Sequence, residues 1–165
     1  LFNLVHLEAG QGMYTEAGVP HAYLAGDIVE CMANSDNVVR VGLTPKFKDA
    51  RTLLEIVDPT PGAPEILEGS DDPAVASIEG DARAVVYETS APEFTVRRLA
   101  LDSGAAVAVP REGRPAILLV TRGACTLAWA SGTQDAPHGS AYFLPACLPE
   151  VTVRASEDAE LFVAG

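Results

Sequence analysis

Polar side chains of several chemical types lie close together between residues 17 and 46 of this sequence. The stretch holds a lone histidine, His21, after a Gly-Val-Pro turn, and then carboxylates, an Asn-Ser-Asp-Asn step, Arg40 and Lys46. Apolar residues separate these polar residues at roughly the spacing of a β-strand, so the polar groups can converge on one face of a sheet. An imidazole, a guanidinium and an ammonium together could bind a metal ion and a phosphorylated or carboxylated ligand.

Each of these side chains also has an ordinary structural explanation. His21 is either a metal ligand or a hydrogen-bonded core histidine. Glu30 is expected to face inward, as an acid/base or beside a ligand, or else to be a surface or ion-paired residue. Arg40 lies among valines and is predicted to be buried, either against a bound anion or in an ion pair with Asp36 or Glu30. Lys46 either binds phosphate as a point charge or is simply solvated.

Composition limits the classes of partner. The 165 residues carry a net charge of −12 with a pI near 4.5, which excludes nucleic acid and anionic membranes as expected partners because no basic surface exists to neutralise them. A small phosphorylated ligand needs only one or two cations and stays open. The three cysteines have no CxxC spacing and indicate reduced thiols, and no apolar run reaches the ~18–20 residues of a membrane helix. We therefore expect a cytoplasmic protein.

The first 60 residues are predicted to form strands and one helix. The strands are expected at 1–7, 13–15, 21–24, 27–33 and 38–43, where apolar residues alternate or cluster between turn signals. Asp49 is the expected N-cap of a helix over 50–57, in which Leu53, Leu54 and Val57 form an apolar stripe. Residues 61–82 are rich in Pro, Gly, Asp and Glu and are interpreted as a linker.

Residues 83–165 predict a second, all-β unit. Eight short strands separated by glycine-containing turns are expected at 84–88, 94–101, 105–109, 116–121, 125–130, 140–144, 150–154 and 160–164. This spacing is typical of an antiparallel jelly-roll sandwich or barrel. The arginine pairs at 97–98 and 111–114 are interpreted here as scattered surface charge.

Residues 21 to 49, HAYLAGDIVECMANSDNVVRVGLTPKFKD, resemble the signature of type I mannose-6-phosphate isomerases, which are zinc enzymes of the cupin superfamily. The match is free of gaps and includes the His-Ala-Tyr, Glu-Cys-Met-Ala, Ser-Asp-Asn-x-x-Arg and Gly-Leu-Thr-Pro-Lys pieces. The resemblance implies a mainly β, cupin/jelly-roll fold. Residues 1–60 would be the C-terminal part of a catalytic cupin with a short helix, and residues 83–165 a metal-free C-terminal cupin.

The same resemblance implies the chemistry and the residues that perform it. The expected reaction interconverts mannose 6-phosphate and fructose 6-phosphate by zinc-assisted proton transfer through a cis-enediol. His21 would be a zinc ligand, Arg40 the catalytic arginine at the reacting end of the sugar, and Lys46 a residue of the phosphate side. The other residues expected to line the substrate pocket are Tyr23, Glu30 and Asp36.

The resemblance further implies that this chain is the C-terminal portion of a longer protein. The family's remaining zinc ligands, a Gln-x-His pair and a Glu, would precede residue 1. The missing N-terminal half or another chain is then expected to complete the site. The alternative is a non-catalytic cupin that kept the signature but serves binding or assembly.

Overall fold

The structure is a computed structural model that describes residues 3–35, 37–42, 44–75 and 77–165. Its helix is α1 (Ala50–Ile56). Its strands in the first half of the chain are β1 (Gly12–Met13), β2 (Ile66–Leu67), β3 (Ser70–Asp71) and β4 (Ile78–Glu79). The later strands are β5 (Ala82–Tyr87), β6 (Val96–Leu101), β7 (Ala106–Ala108), β8 (Ala116–Arg122), β9 (Ala124–Trp129), β10 (Gly132–Pro137), β11 (Ala141–Leu144), β12 (Thr152–Ala155) and β13 (Ala159–Ala164).

Two antiparallel sheets face each other and form a sandwich. The six-stranded sheet has the order β11-β8-β13-β6-β5-β3, and the five-stranded sheet has the order β10-β9-β12-β7-β4. Sequence neighbours such as β8 and β9 belong to different sheets, so the chain crosses repeatedly from one layer to the other. This arrangement of two interleaved antiparallel sheets confirms the predicted mainly β, cupin-type jelly roll with one short helix.

Strict alternation of side chains builds the core between the sheets. Along β6 and β13 every second residue is buried, and Leu99 and Leu161 are 0 % exposed on neighbouring strands, directly opposite each other. The period of two follows from the pleat, which sends successive side chains to opposite faces. Leu118 and Val153 are also fully buried, so aliphatic side chains fill the interior of the sandwich.

The short helix is confirmed with its predicted cap. The Asp49 carboxylate accepts hydrogen bonds from the backbone N–H groups of Arg51 and Thr52 at 3.1 and 3.0 Å. The bonds to Thr52 are the largest cause of the lowered pKa of Asp49. These bonds satisfy donors that have no partner inside the helix, which is why the helix begins there. It ends at Ile56, one residue earlier than predicted, because Val57 has extended backbone.

The strands predicted before residue 44 are largely wrong. In the described part of that region only Gly12–Met13 is a strand, and residues 21–24, 27–33 and 38–42 have no strand pairing. Residues 1, 2 and 43 of these predictions lie outside the described residues. A strand is stable only when a neighbour accepts and donates its backbone hydrogen bonds. The local pattern is strand-like, but the residues that the structure describes supply no partner strand for it.

Residues 83–165 match their eight predicted strands to within a few residues, and the sequence pattern missed four further strands, one in this unit and three in the predicted linker. Strand β10 has no strand signal in the sequence because it is polar and contains Pro137, a combination tolerated at a sheet edge. The predicted linker contains β2, which pairs with β1, and the short strands β3 and β4, which add to the two sheets. Residues 66–79 are therefore attached to the rest of the fold at three places.

Two arginines interpreted as surface charge are buried, and that interpretation is wrong for them. Arg97 is 5 % exposed and donates from Nε to Asp72 Oδ2 at 2.8 Å. Arg111 is 7 % exposed, and its guanidinium donates to the backbone carbonyls of Arg114, Pro145, Leu148 and Pro149. Both guanidiniums are thus satisfied in the interior, which offsets their desolvation.

Within the described ranges, the one helix is far shorter than a membrane-crossing helix would have to be.

Candidate functional site

The beginning of the signature stretch forms a small hydrogen-bonded group. The hydroxyl of Tyr23 donates to Glu30 Oε1 at 2.6 Å, and the rings of His21 and Tyr23 are tilted with centroids 5.8 Å apart. The structure therefore brings together three of the six predicted site residues. Glu30 faces Tyr23 rather than a cation, so its carboxylate is held in one position by a charged hydrogen bond.

The environment of Tyr23 changes its ionisation. Its pKa is raised to about 12, first because partial burial disfavours the phenolate, and then because the Glu30 carboxylate accepts a hydrogen bond from the neutral phenol and would repel the charge of a phenolate. Tyr23 is consequently a neutral hydrogen-bond donor near pH 7. A fixed phenol and carboxylate can position a sugar hydroxyl or hold the neighbouring imidazole.

The His21 ring presents one nitrogen suited to a metal. Its Nδ1 lies 3.0 Å from the carbonyl oxygen of Val19, and a neutral ring that donates from Nδ1 carries its lone pair on Nε2. The side chain is exposed, so that lone pair is accessible. Among the described residues, however, no three His, Cys, Asp or Glu side chains are grouped as a metal site requires. The residues present therefore do not by themselves fit zinc.

Arg40 and Lys46 both have exposed side chains. Arg40 is exposed, so the prediction that it is buried is wrong, and neither residue forms an ion pair with the acids that the structure describes. The backbone N–H of Lys46 donates to Thr44 Oγ1 at 3.2 Å, which fixes its backbone but leaves the side chain in solvent. The predicted site residue Asp36 lies outside the described residues. The two cations are thus available to an anionic ligand.

The whole signature stretch exposes apolar surface. Thirteen of the sixteen exposed large hydrophobic residues of the described chain lie between residues 4 and 56, and nine of these lie between residues 19 and 47. The extremes in this stretch are Leu24 at 77 % and Phe47 at 85 % exposure. Soluble domains seldom leave so much contiguous apolar surface uncovered. The exposed side chains and the unpaired backbone thus coincide in the same part of the described chain.

The sandwich anchors this stretch at its N-terminal side. The hydroxyl of Tyr87 donates to the carbonyl of Gly10 at 2.7 Å, and Ser90 Oγ donates to Glu16 Oε1 at 2.7 Å. Gly18, with φ of 82°, lies so close to the carbonyl of Ile56 that a Cβ would be 2.7 Å from that oxygen. Residues 8–18 are therefore held against the folded unit, while the residues that carry the predicted chemistry extend beyond it.

The interior of the sandwich offers no second polar site in the described part of the chain. Its buried charged residues are Asp72, Arg97 and Arg111, all of them bonded within the protein, and no buried side-chain polar atom lacks a partner. Two open depressions of about 540 and 350 Å³ lie on its surface, around Arg122 and Trp129 respectively. Both lie outside the signature stretch.

Fold and site together define a cupin-type β-sandwich protein with an appended, uncovered signature segment. No family model matches the chain. Curated relatives do match it. Mannose-6-phosphate isomerase 2 of Arabidopsis thaliana is 37 % identical over 164 residues, 99 % of this chain and 35 % of that protein. Mannose-6-phosphate isomerase of Mus musculus is 38 % identical over 147 residues, 87 % of this chain and 34 % of that protein.

Among solved structures, mannose 6-phosphate isomerase from Salmonella typhimurium, bound to fructose 6-phosphate and zinc, shares the fold. It has a TM-score of 0.61 at 23 % identity and covers 81 % of this chain and 31 % of its own. The chain is thus homologous to the mannose-6-phosphate isomerases, and the resemblance of the signature is confirmed. It spans about one third of the length of the relatives it matches.

Proposed function

We propose that this chain is part of an aldose–ketose isomerase that interconverts mannose 6-phosphate and fructose 6-phosphate. The observation that carries the proposal is the 37 % identity to a curated mannose-6-phosphate isomerase over 99 % of this chain. The Salmonella enzyme of the same fold binds fructose 6-phosphate and zinc. The free cysteines Cys31, Cys125 and Cys147 support a reducing compartment such as the cytoplasm.

The residues of the signature stretch suit this reaction. The open-chain aldose and ketose differ by the position of a proton between C1 and C2, and removal of that proton leaves negative charge on oxygen. The Arg40 guanidinium, which has no protein acid to neutralise it in the described residues, would stabilise that charge. Lys46 would bind the phosphate, and the Tyr23–Glu30 pair, with Asp36, would position the sugar hydroxyls.

A zinc ion could be bound at His21 only if further ligands came from outside the described residues. His21 presents Nε2, but the described residues hold no group of three ligands around it. We therefore assign His21 as one ligand and place the others outside this chain.

A covering partner is the second requirement. Exposed apolar residues such as Leu24, Ile28 and Val29 alternate or cluster as in a strand that packs on a core. We propose that strands from the remaining two thirds of a longer polypeptide, or from another chain, pair with residues 17–48. Pairing would bury these side chains and bring Arg40 and Lys46 to the face that holds His21.

A chimera tests the proposal. This chain would replace the homologous third of the Arabidopsis thaliana enzyme, and turnover of mannose 6-phosphate and zinc content would be measured. We expect turnover in the chimera, none in the isolated chain, and a loss of at least about a hundredfold in kcat with Arg40→Ala. The matched control is Arg51→Ala, which removes an exposed arginine of α1 whose partner is Glu55.

Different outcomes of this experiment would contradict the isomerase proposal and the role of Arg40. A folded, zinc-containing chimera without turnover would contradict the isomerase proposal, and full turnover of Arg40→Ala would contradict the role of that arginine. A second candidate is a non-catalytic cupin module for binding or assembly, favoured because the described residues group no set of three metal-ligand side chains around His21. That module would bind hexose phosphate in the chimera without converting it.

A further inference from the structure

The outward face of the six-stranded sheet carries a polar cluster whose members hold one another in place. Arg98 on β6 pairs with Glu160 on β13, and its Nε and Nη2 lie 2.7 and 2.5 Å from Oε2 of that carboxylate. Thr121 Oγ1 lies 3.1 Å from the other carboxylate oxygen, Oε1. Both charged side chains are mostly buried, at 25 % and 22 % exposure. Charged hydrogen bonds of this kind keep the Arg98 guanidinium in one position.

Tyr87 extends this cluster and is covered by the N-terminal segment, residues 8–18. Tyr87 lies directly opposite Val96, which is two residues from Arg98 on β6, so both side chains belong to the outward face. Tyr87 is nevertheless only 8 % exposed, and its hydroxyl donates to the carbonyl of Gly10 at 2.7 Å. Burial raises the pKa of this phenol, so it remains a neutral hydrogen-bond donor near pH 7.

Two glycines let the backbone of the N-terminal segment lie directly against these side chains. Gly10 has a φ of 91°, and a Cβ added there would lie 2.9 Å from Nη1 of Arg98. A Cβ added to Gly12 would lie 3.2 Å from the ring of Tyr87. Glycine adopts a positive φ at little cost and lets another group approach its backbone closely. The N-terminal segment is therefore docked on Arg98 and Tyr87 through its backbone.

Two further contacts hold the N-terminal segment as far as its last residue. Ser90, which follows β5 in the chain, donates from Oγ to Glu16 Oε1 at 2.7 Å. The backbone N–H of Asp58 donates to the carbonyl of Gly18 at 2.9 Å. Since the segment is attached at its beginning, middle and end, we expect it to open and close as one unit.

His21 follows immediately after the last of these contacts. Val19 and Pro20 separate it from Gly18, and the Pro20 ring fixes its own φ at about −65°. Nδ1 of His21 lies 3.0 Å from the carbonyl oxygen of Val19. A displacement of Gly18 would therefore be passed on to the imidazole.

We propose that Tyr87 and Arg98 are positioning residues of the isomerase site, which fix through the N-terminal segment the place at which His21 leaves the sandwich. The inference rests on the proposed function, because it assigns these two residues to the site proposed there. They act through the backbone of residues 8–20 and take no part in the chemistry themselves. The second half of the chain would thus contribute to the reaction by orienting the signature stretch.

Hydrogen exchange of the whole chain, followed by NMR, tests the docking without any assay of activity. Tyr87→Phe removes the bond to Gly10, so we expect the amide of Gln11 to exchange about fivefold faster. The amides of Val19 and Asp58 should accelerate by a similar factor, because they belong to the same unit.

Tyr142→Phe is the matched control for this variant. It removes the same kind of hydroxyl-to-carbonyl bond, which joins Tyr142 to Asp135 at 2.8 Å within the sandwich. The amides of Gln11, Val19 and Asp58 should exchange at unchanged rates in this control. Acceleration confined to Gln11 in Tyr87→Phe, or equal acceleration in both variants, would overturn the proposal.

A second pair of variants tests the contact with Arg98. Gly10→Ala places a methyl group against the guanidinium, and Gly104→Ala imposes a similar backbone strain, at a φ of 85°, where a Cβ meets nothing within 4 Å. We expect the amides of Val19 and Asp58 to exchange at least about fivefold faster in Gly10→Ala only. The same rates in the two variants would contradict the role of Arg98.

Turnover in the Arabidopsis thaliana chimera tests the consequence for the reaction. Tyr87→Phe should lower kcat about fivefold or more and leave KM for mannose 6-phosphate within about twofold, because the reacting groups shift while Lys46 still binds the phosphate. Tyr142→Phe should change neither constant. Faster exchange with an unchanged kcat would overturn the positioning role and leave the proposed function intact. A folded chimera that has no turnover even with Tyr87 in place would contradict the proposed function, and this inference with it.

Discussion

Two neighbouring aspartates make ion pairs whose energies should differ severalfold. Asp72 pairs with Arg97 at 2.8 Å with both side chains almost fully buried, at 1 % and 6 % exposure. Asp71 pairs with Arg83 at 3.6 Å with both side chains in solvent, at 90 % and 69 % exposure. The two aspartates are adjacent in sequence and each pairs with an arginine, so the comparison tests burial with the chemistry held constant.

The expected loss in free energy of unfolding depends on whether the substitution leaves a buried or an exposed arginine without its partner. Asp72→Asn leaves the buried Arg97 guanidinium without its closest carboxylate, and breaking such a pair costs about 3–5 kcal/mol. Because Glu112 stays 3.3 Å from Arg97 Nη2, we expect a value near the lower limit, about 3 kcal/mol. Asp71→Asn removes an exposed pair, so its cost is about 0–1 kcal/mol.

Equilibrium urea unfolding measures both costs, with fluorescence of Trp129, the sole tryptophan, as the probe. The double variant Asp72→Leu/Arg97→Met removes both charges, so it should cost at least about 2 kcal/mol less than the sum of its single variants. If Asp72→Asn costs no more than Asp71→Asn, or if the double variant is additive, burial does not strengthen the Asp72–Arg97 pair and the reasoning is refuted.

The remaining predictions concern the core, a buried cation and the signature stretch. Leu161→Ala, at 0 % exposure on a central strand, should cost about 2–5 kcal/mol in urea unfolding, and a cost below about 1 kcal/mol would contradict the packing described. Arg111→Met should cost at least about 2 kcal/mol because it leaves several carbonyls of the 145–149 loop without a donor; a neutral result in the same assay would refute that role. Glu30→Gln should lower the pKa of Tyr23 from about 12 toward 10, because it removes the repelling carboxylate. Carbon-13 NMR of labelled tyrosine would report this shift, and an unchanged titration would mean that the pair is absent in solution. Since the raised pKa favours the neutral phenol, the Tyr23 contribution to stability is complete below pH 10 and is lost as the pH rises through about 12.

Local sequence patterns predicted the secondary structure correctly where each strand pairs with another strand of this chain. The alternation around Leu99 and Leu161 and the turns between strands placed eight strands of the sandwich, because each of these strands finds its neighbour within the chain. Asp49 placed the start of the helix because an N-cap acts through atoms at most three residues away. The signature of residues 21–49 identified the relatives by residue order alone.

Only the tertiary structure shows which charged side chains are buried and which segments pair as strands, because both depend on residues far away in the sequence. Arg97 and Arg111 looked like surface charge, and only the sandwich shows that Asp72 and four backbone carbonyls surround them. Strand β10 has no apolar alternation because a sheet edge does not require it. Residues 21–42 have the pattern of strands but no pairing in the described ranges, since a strand's hydrogen bonds must be supplied by another segment. The sequence by itself therefore determined which segments can be strands, and the fold determined which of them are.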